Sequence, residues 1–293
     1  MPVVTLASIG RHLLELLKPP VERCLTCGGR AVLNAGLPGI CSRCAQRIPW
    51  IGRIRCNCCG RPVGCPDCLR PDRVNRAFVC NRSAVAYTAE MKEWISWYKY
   101  RGEERYEPLL AAMLGRAYTA MQSELTFRNQ GTRARESTSF PRLFAKKWSG
   151  HKKEWWQADL MTCVPVSEAR LADRGFNQAE RLAVLLAADS QVPFCPLLVR
   201  NRDTGKQSFK SRSERGESMK AAFSVLPGIG DRLWEVREYR KGSSLPNPPL
   251  RVLLVDDIYT TGSTLEACSR VLRSEGEAVG LKIEVYGLTW ARS

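Results

Sequence analysis

The chain has 293 residues, 44% of them hydrophobic, which suits about two folded domains and excludes wholesale disorder. Its longest apolar runs fall far short of the ~20 residues that cross a bilayer. The net charge of +16 is concentrated: residues 1–80 hold 12 Lys/Arg against 4 Asp/Glu, residues 126–157 hold 8 against 2, and the rest is close to balance.

Residues 1–20 are mildly apolar, lack a basic leader and carry Arg11, His12, Glu15 and Lys18. They read as an N-terminal helical lead ended by Pro19-Pro20 rather than as a signal peptide. The expectation is therefore a cytoplasmic protein, in which thiols stay reduced and clustered cysteines point to metal rather than to disulfides.

Nine of the 13 cysteines fall between Cys24 and Cys68, as four C-x-x-C pairs and one extra thiol, Cys58. Each pair offers two thiolates from one tight turn to a tetrahedral ion. The first and third pairs are followed by Gly and the others are not, which suggests two consecutive ribbons. Cys24, Cys27, Cys41 and Cys44 would then hold one Zn²⁺, and Cys56, Cys59, Cys65 and Cys68 a second. An interleaved cross-brace is the alternative, and Cys58 reads as a bystander. Eight thiolates around two Zn²⁺ would cut the excess charge of the first 80 residues from +8 to about +4. The basicity there is thus weaker support for DNA binding than the raw count suggests. Pro38, Pro49, Pro62 and many glycines leave little core, so the metals are expected to hold this segment together, with docking as its role.

Ser83 to Thr88 alternates like a strand, and from Ala89 a helix follows with Met91, Trp94, Ile95 and Tyr98 on one face, closing at Lys99-Tyr100-Arg101-Gly102. Tyr106 to Met121 reads as another helix. Residues 126–157 break the pattern and look like a basic insertion, with Trp148, Trp155 and Trp156 interleaved among cations. Cations beside exposed aromatic faces suit single-stranded nucleic acid, through phosphate neutralisation and base stacking. The same composition suits an interfacial membrane contact; a surface loop whose tryptophans fold back on the body is the plain alternative.

Asp159 to Val166 reads as a strand that runs through Pro165-Val166-Ser167 into Arg174-Gly175-Phe176-Asn177-Gln178. Ala179 to Ala188 is an amphipathic helix, and Cys195 to Val199 a short strand. A polar stretch, with Arg202 and Gln207, and then a Pro/Gly-rich loop lead on to residue 250. Next comes Arg251-Val252-Leu253-Leu254-Val255, whose apolar run suits a strand buried on both faces of a parallel sheet. Asp256 and Asp257 end it. A turn rich in hydroxyls, Thr260-Thr261-Gly262-Ser263-Thr264, opens a helix with Leu265, Cys268, Val271 and Leu272 on one side. Amides and hydroxyls at such a helix start cradle an anion, and paired carboxylates suit the vicinal hydroxyls of a ribose. Lys282 to Thr289 reads as a final strand. Alternating strands and helices make an α/β domain with a mostly parallel sheet.

The run VLLVDDIYTTGST resembles the phosphoribosyl-pyrophosphate (PRPP) signature of the type I phosphoribosyltransferases. The order of zinc ribbons, Arg174-Gly175-Phe176-Asn177-Gln178, Arg202-x-Thr204-x-x-Gln207 and that signature resembles the ComF family of competence proteins. One departure is Ser218, where the family usually has Asn. The resemblance implies a type I phosphoribosyltransferase-like parallel sheet flanked by helices over 81–293, with the insertion 126–157, preceded by a small Cys-rich double zinc-ribbon domain over 21–80. It implies PRPP and Mg²⁺ as ligands. Asp256 and Asp257 would take the ribose and Thr260, Thr261, Gly262, Ser263 and Thr264 the 5′-phosphate. Pro165, Val166, Ser167, Arg174, Asn177, Gln178, Arg202 and Gln207 would lie on the pyrophosphate side.

Two functions follow from the resemblance. One is a role in DNA uptake during natural transformation, with a phosphoribosyl-binding site and protein components of the uptake machinery as partners. Single-stranded DNA is a further candidate partner there, and a peripheral contact at the inner face of the membrane a candidate location. The other is an active phosphoribosyltransferase of nucleotide salvage or related metabolism, with an open acceptor. Only about twenty residues follow the signature helix, which leaves little room for a C-terminal base-binding hood; the helices of 89–121 are the substitute.

Overall fold

The computed structural model describes residues 21–70, 75–100, 103–136, 155–201, 222–239 and 248–293. The N-terminal lead, most of the basic insertion, Arg202, Gln207 and Ser218 lie outside the described residues. The chain divides into a unit ending at Ile48 and one running from Pro49 to Ser293.

In the first unit, strands β1 (Val21–Arg23) and β2 (Arg30–Val32) pair antiparallel around the Cys24–Cys27 turn. A short helix, α1 (Ser42–Gln46), starts at Cys41. Besides the cysteines, the unit's buried apolar side chains among the described residues are Leu37, Ile40 and Ile48. That is too little to fold a segment of this size on burial alone.

The second unit is built on a four-stranded sheet ordered β3-β8-β7-β4, from β3 (Phe78–Ala86), β4 (Leu160–Cys163), β7 (Leu250–Tyr259) and β8 (Ile283–Arg292). Every pair in it is parallel. Val252, Leu253, Leu254 and Val255 are all fully buried, as an unbroken apolar run in a central parallel strand requires. β7 is longer than the sequence suggests because it carries on through Asp256 and Asp257 to Tyr259, paired with β8 up to Arg292. A second small pair, β5 (Leu198–Arg200) with β6 (Phe223–Val225), is antiparallel. It hangs on the β4 edge through Cys195 N–H to the Met161 carbonyl and Leu197 N–H to Thr162 Oγ1.

The helices are α2 (Ala89–Tyr100), α3 (Tyr106–Glu136), α4 (Glu168–Arg174), α5 (Gln178–Ser190), α6 (Ile229–Tyr239) and α7 (Ser263–Ala278). The expected stripe of α2 is the buried one: Met91, Trp94, Ile95 and Tyr98. Two expectations need correction. The helix begun at Tyr106 does not stop at Met121 but continues to Glu136, because Met121 and Leu125 keep the buried face going while polar residues fill the other side. The stretch after β6, read as loop, contains α6, which buries only Ile229 and Leu233; two apolar anchors among polar residues leave a weak periodic signal.

The sheet places chemistry at one end. Cys163 is paired with Val255, and Val164 N–H bonds the Val255 carbonyl. The chain leaving β4 and the chain leaving β7 therefore start side by side, at the carboxyl end where open α/β sheets take ligands.

Candidate functional site

Both four-cysteine groups assemble consecutively, as Cys24/Cys27/Cys41/Cys44 and Cys56/Cys59/Cys65/Cys68, and not interleaved. Within each group the ligand sulfurs lie within 4.8 Å of one another. Four thiolates at ~2.3 Å from one ion need sulfur separations of this order, so each group could hold a metal ion. The two Gly-terminated turns are built alike. Gly28 N–H bonds the Cys24 carbonyl and Gly60 N–H the Cys56 carbonyl, both at 2.9 Å, and both glycines have positive φ, 69° and 72°. An L side chain is strained there, which is why Gly follows these two pairs. Cys58 stands outside the set, and its carbonyl accepts from Asn81 N–H of β3.

At the end of β7, Asp256 and Asp257 are adjacent on the strand, and Asp256 Oδ1 accepts from Asp257 N–H at 2.8 Å. Burial, and then the negative charge of Asp257, push the Asp256 carboxyl up to about 8. Asp257 is equally desolvated, yet Lys99 beside it holds its carboxyl below the usual range. Lys99 and Asp257 form a direct ion pair. Arg174 acts on Asp257 and Arg200 on Asp256 from a greater distance. The two acids are thus ringed by cations from α2, α4 and β5.

The turn beyond Asp257 is held from below by Tyr259, which is buried. Gly262, the N-cap of α7, has φ 79°, and a Cβ there would sit 2.2 Å from Tyr259 Oη. Only glycine fits. Thr260 and Thr261 are exposed and Ser263 and Thr264 half-buried; the Thr261 and Ser263 hydroxyls are in mutual contact, and Gly262 C=O accepts from Glu266 N–H. Hydroxyls and amides at a helix start, beside cations, suit an anionic group.

The corner after β4 faces this turn from the neighbouring strand. Pro165 and Val166 are half-buried and Ser167 is buried at the N-cap of α4. Asn177 is committed to the corner itself: its Oδ1 accepts from Ala179 and Glu180 N–H, and its Nδ2 donates to the Val164 carbonyl. Gln178 is similarly engaged, donating to the Phe176 carbonyl and accepting from Arg174 Nη1. These two side chains shape the corner. Arg174 projects from it, with Nη2 donating to Tyr100 Oη at 2.8 Å and its guanidinium over the Tyr100 ring.

Lys99 and Tyr100 carry no motif of the phosphate-cradle type, and the sequence reading treats them as the end of a core helix. The signal was nonetheless present, in a cation and a Tyr set just beyond an apolar stripe. Tyr98 fixes their position, meeting Phe176 edge-on at 5.4 Å. The α2–α3 corner is fixed through Trp97 against Tyr106 and through Arg181, which pairs Glu104 and Glu107.

The tryptophans of residues 126–157 part company. Trp156 is buried, packed against Tyr286 at 4.7 Å, with its backbone N–H on Thr126 Oγ1, so it is core. Trp155 is exposed. Arg128 is also committed, to Glu124 and Asn57. No helix among the described residues is long and apolar enough to cross a membrane.

No protein-family model matches the chain. The chain is 26% identical over 249 residues to the competence protein ComFC of Bacillus subtilis, covering 83% of this chain and 81% of that one. It is 27% identical over 251 residues to the DNA utilization protein YhgH of Salmonella typhi, covering 82% and 86%. A shorter match, 33% identical over 129 residues, joins it to competence protein F of Haemophilus influenzae across 44% and 48% of the two chains. Similarity running along four fifths of two chains reaches well past one strand–turn–helix; over most of its length the chain is similar to the competence protein ComFC and the DNA utilization protein YhgH.

Proposed function

We propose that this protein acts in DNA uptake during natural transformation, and that the carboxyl end of β4 and β7 binds a phosphoribosyl ligand, PRPP with Mg²⁺. The observation that carries the ligand reading is the junction of Asp256 and Asp257 with the glycine-dependent turn at Gly262, beside the corner after β4. In this reading the Thr260–Thr264 turn takes the 5′-phosphate and Asp256 and Asp257 the ribose hydroxyls. Pro165, Val166 and Ser167 receive the pyrophosphate by their backbone, and Arg174 and Lys99 neutralise it. Arg202 and Gln207 join on the pyrophosphate side. The relatives' names supply the biological setting: competence and DNA utilization. Zinc is the ion proposed for both four-sulfur groups, since closed thiolate sets favour it and serve structure rather than chemistry. A cytoplasmic location at the inner face of the membrane, contact with proteins of the uptake machinery, and contact between single-stranded DNA and the basic stretch 126–157 belong to the same proposal.

The test of the ligand is calorimetry with PRPP and Mg²⁺ on the zinc-loaded chain. Binding is expected in the wild type and lost when Asp256 and Asp257 are both changed to Ala; equal binding by the double variant removes this site from the reading.

One observation favours a second reading, a phosphoribosyltransferase. The two adjacent carboxyls are driven to different protonation states by burial and by Lys99, as occurs where an acid and a base act together. Pyrophosphate release, screened against nucleobases and ammonia, separates the two: turnover with any acceptor makes the site an enzyme's, and binding without turnover makes it a sensor's.

A further inference from the structure

The Cys56/Cys59/Cys65/Cys68 group and the Thr260–Thr264 turn are far apart in sequence but share two arginines and one tyrosine. Arg76 Nη2 donates to Cys68 Sγ at 3.5 Å and its Nη1 to Tyr259 Oη at 3.2 Å. Arg292 Nη1 donates to the Cys59 carbonyl at 3.0 Å, and its guanidinium lies over the Tyr259 ring at 4.6 Å. Tyr259 is the floor of the turn, because Gly262 rests on its hydroxyl with no room for a Cβ. Around these contacts, Cys59, Cys65, Tyr259 and Leu265 belong to one apolar cluster, and Glu266 of α7 accepts from Ala77 N–H, next to Arg76.

The chemistry gives this wiring a direction. Four thiolates about a divalent ion leave a net charge of about −2, and hydrogen bonds to such sulfurs from outer groups tune how firmly the ion is held. Arg76 meets that charge on one side and the phenol of Tyr259 on the other. Burial pushes the ionisation of Tyr259 well up, so the phenol stays neutral and able to accept from Arg76. Without the ion the cysteines would revert to neutral thiols, weakening the hold of Cys68 on Arg76 and, through Arg76, the contact that fixes the Tyr259 hydroxyl under Gly262.

We propose that Arg76, Arg292 and Tyr259 form a brace through which metal occupancy of the Cys56/Cys59/Cys65/Cys68 group sets the order of the Thr260–Thr264 turn and its affinity for ligand. Arg76 and Tyr259 are positioning residues in this account. The inference rests on the phosphoribosyl reading only for the identity of the ligand; the coupling itself is a property of the fold. By linkage it runs both ways: ligand on the turn holds the metal more firmly.

The test uses the full, zinc-saturated chain as wild type, Arg76→Met and Tyr259→Phe. Hydrogen exchange of the amides of residues 259–266 is expected to rise about fivefold or more in Arg76→Met. The rise is smaller in Tyr259→Phe, which keeps the ring under Gly262. Metal affinity of Arg76→Met falls about tenfold, as for other outer partners of a metal site. In a second arm, zinc transfer to a chromophoric chelator is timed with and without PRPP and Mg²⁺. PRPP slows the transfer from wild type about fivefold and leaves Arg76→Met unaffected. Exchange over 259–266 that is the same in both variants as in wild type overturns the brace, as does PRPP that binds wild type without slowing zinc loss. Should Arg76→Met fail to fold, the exchange measured in Tyr259→Phe decides alone. If wild type does not bind PRPP, the ligand reading fails, and the exchange arm still decides the coupling.

Discussion

Lys99, at the end of α2, forms an ion pair with Asp257, at the end of β7, and so joins the helix that roofs the candidate site to the strand that founds it. Both side chains are largely buried, at 12% and 19% exposure. A pair so placed has to be compensated, because removing one partner leaves a desolvated charge. Lys99→Met is expected to weaken PRPP binding about tenfold, in line with hydrogen bonds to charged groups being worth about 1.5–3 kcal/mol. Lys99→Arg retains most of the affinity. Calorimetry on both variants checks this, and equal weakening by Met and Arg would leave Lys99 as a tether of α2 alone.

The neighbouring Asp256 gives a pH signature. Its carboxyl is raised from 3.8 to about 8 by burial and by Asp257, so between those values the folded chain holds a proton that the unfolded chain has released. Stability from this group therefore falls as pH rises through that window and is unaffected below about pH 4. Asp257, held low by Lys99, works in the opposite sense: its contribution is present above the unfolded value of 3.8 and is lost as pH falls further. Asp256→Asn, which removes the first effect, is expected to melt a few degrees above wild type near pH 8 and level with it near pH 4. A scan of Tm from pH 4 to 9 measures the difference; a constant offset across the range would contradict the assignment.

Much of this arrangement was legible in the sequence, for identifiable reasons. Both cysteine groups follow from thiol spacing and from the Gly that follows the first and third pairs. The strand and helix around Asp256 follow from an apolar run that is buried on both faces and a stripe at helical period. The turn at Thr260–Thr264 is local, so its five residues appear together. Lys99 is different: it reaches Asp257 across 158 positions, and no local pattern records a pairing set by tertiary packing. Asn177 and Gln178 stand out as polar residues beside Arg174, yet their amides are spent on the backbone of their own corner. Sequence identifies such residues without telling ligand contact from scaffold. The α6 helix escaped because two buried side chains in eleven residues make too weak a stripe.

Gly262 carries the sharpest steric prediction. Its φ of 79° and the 2.2 Å approach of a built Cβ to Tyr259 Oη leave Ala strained in backbone and in space. Gly262→Ala is expected to destabilise the fold by about 1–3 kcal/mol, the usual cost of such strain, and to weaken PRPP more than tenfold. Adding Tyr259→Phe should not restore either, since the ring carbon at 2.6 Å remains in the way. Urea unfolding and PRPP titration of the single and double variants test this, and recovery in the double variant would place the strain in the hydroxyl alone.

Trp155 and Trp156 are adjacent but separate the two readings of the basic stretch. Trp156 is 2% exposed and touches Tyr118 and Tyr286; Trp156→Ala should cost about 3–5 kcal/mol, as for other large core truncations. Trp155 is 59% exposed, so Trp155→Ala should alter stability by less than about 0.5 kcal/mol. If this face stacks on single-stranded DNA, the same change costs about 1–3 kcal/mol of DNA affinity while leaving the salt slope, which counts phosphate contacts, unchanged. Urea melts give the first contrast and fluorescence titrations of an oligothymidylate at several salt concentrations the second. Unchanged DNA affinity in Trp155→Ala would reduce any binding by residues 126–157 to charge alone, because Trp156 is already occupied by the core.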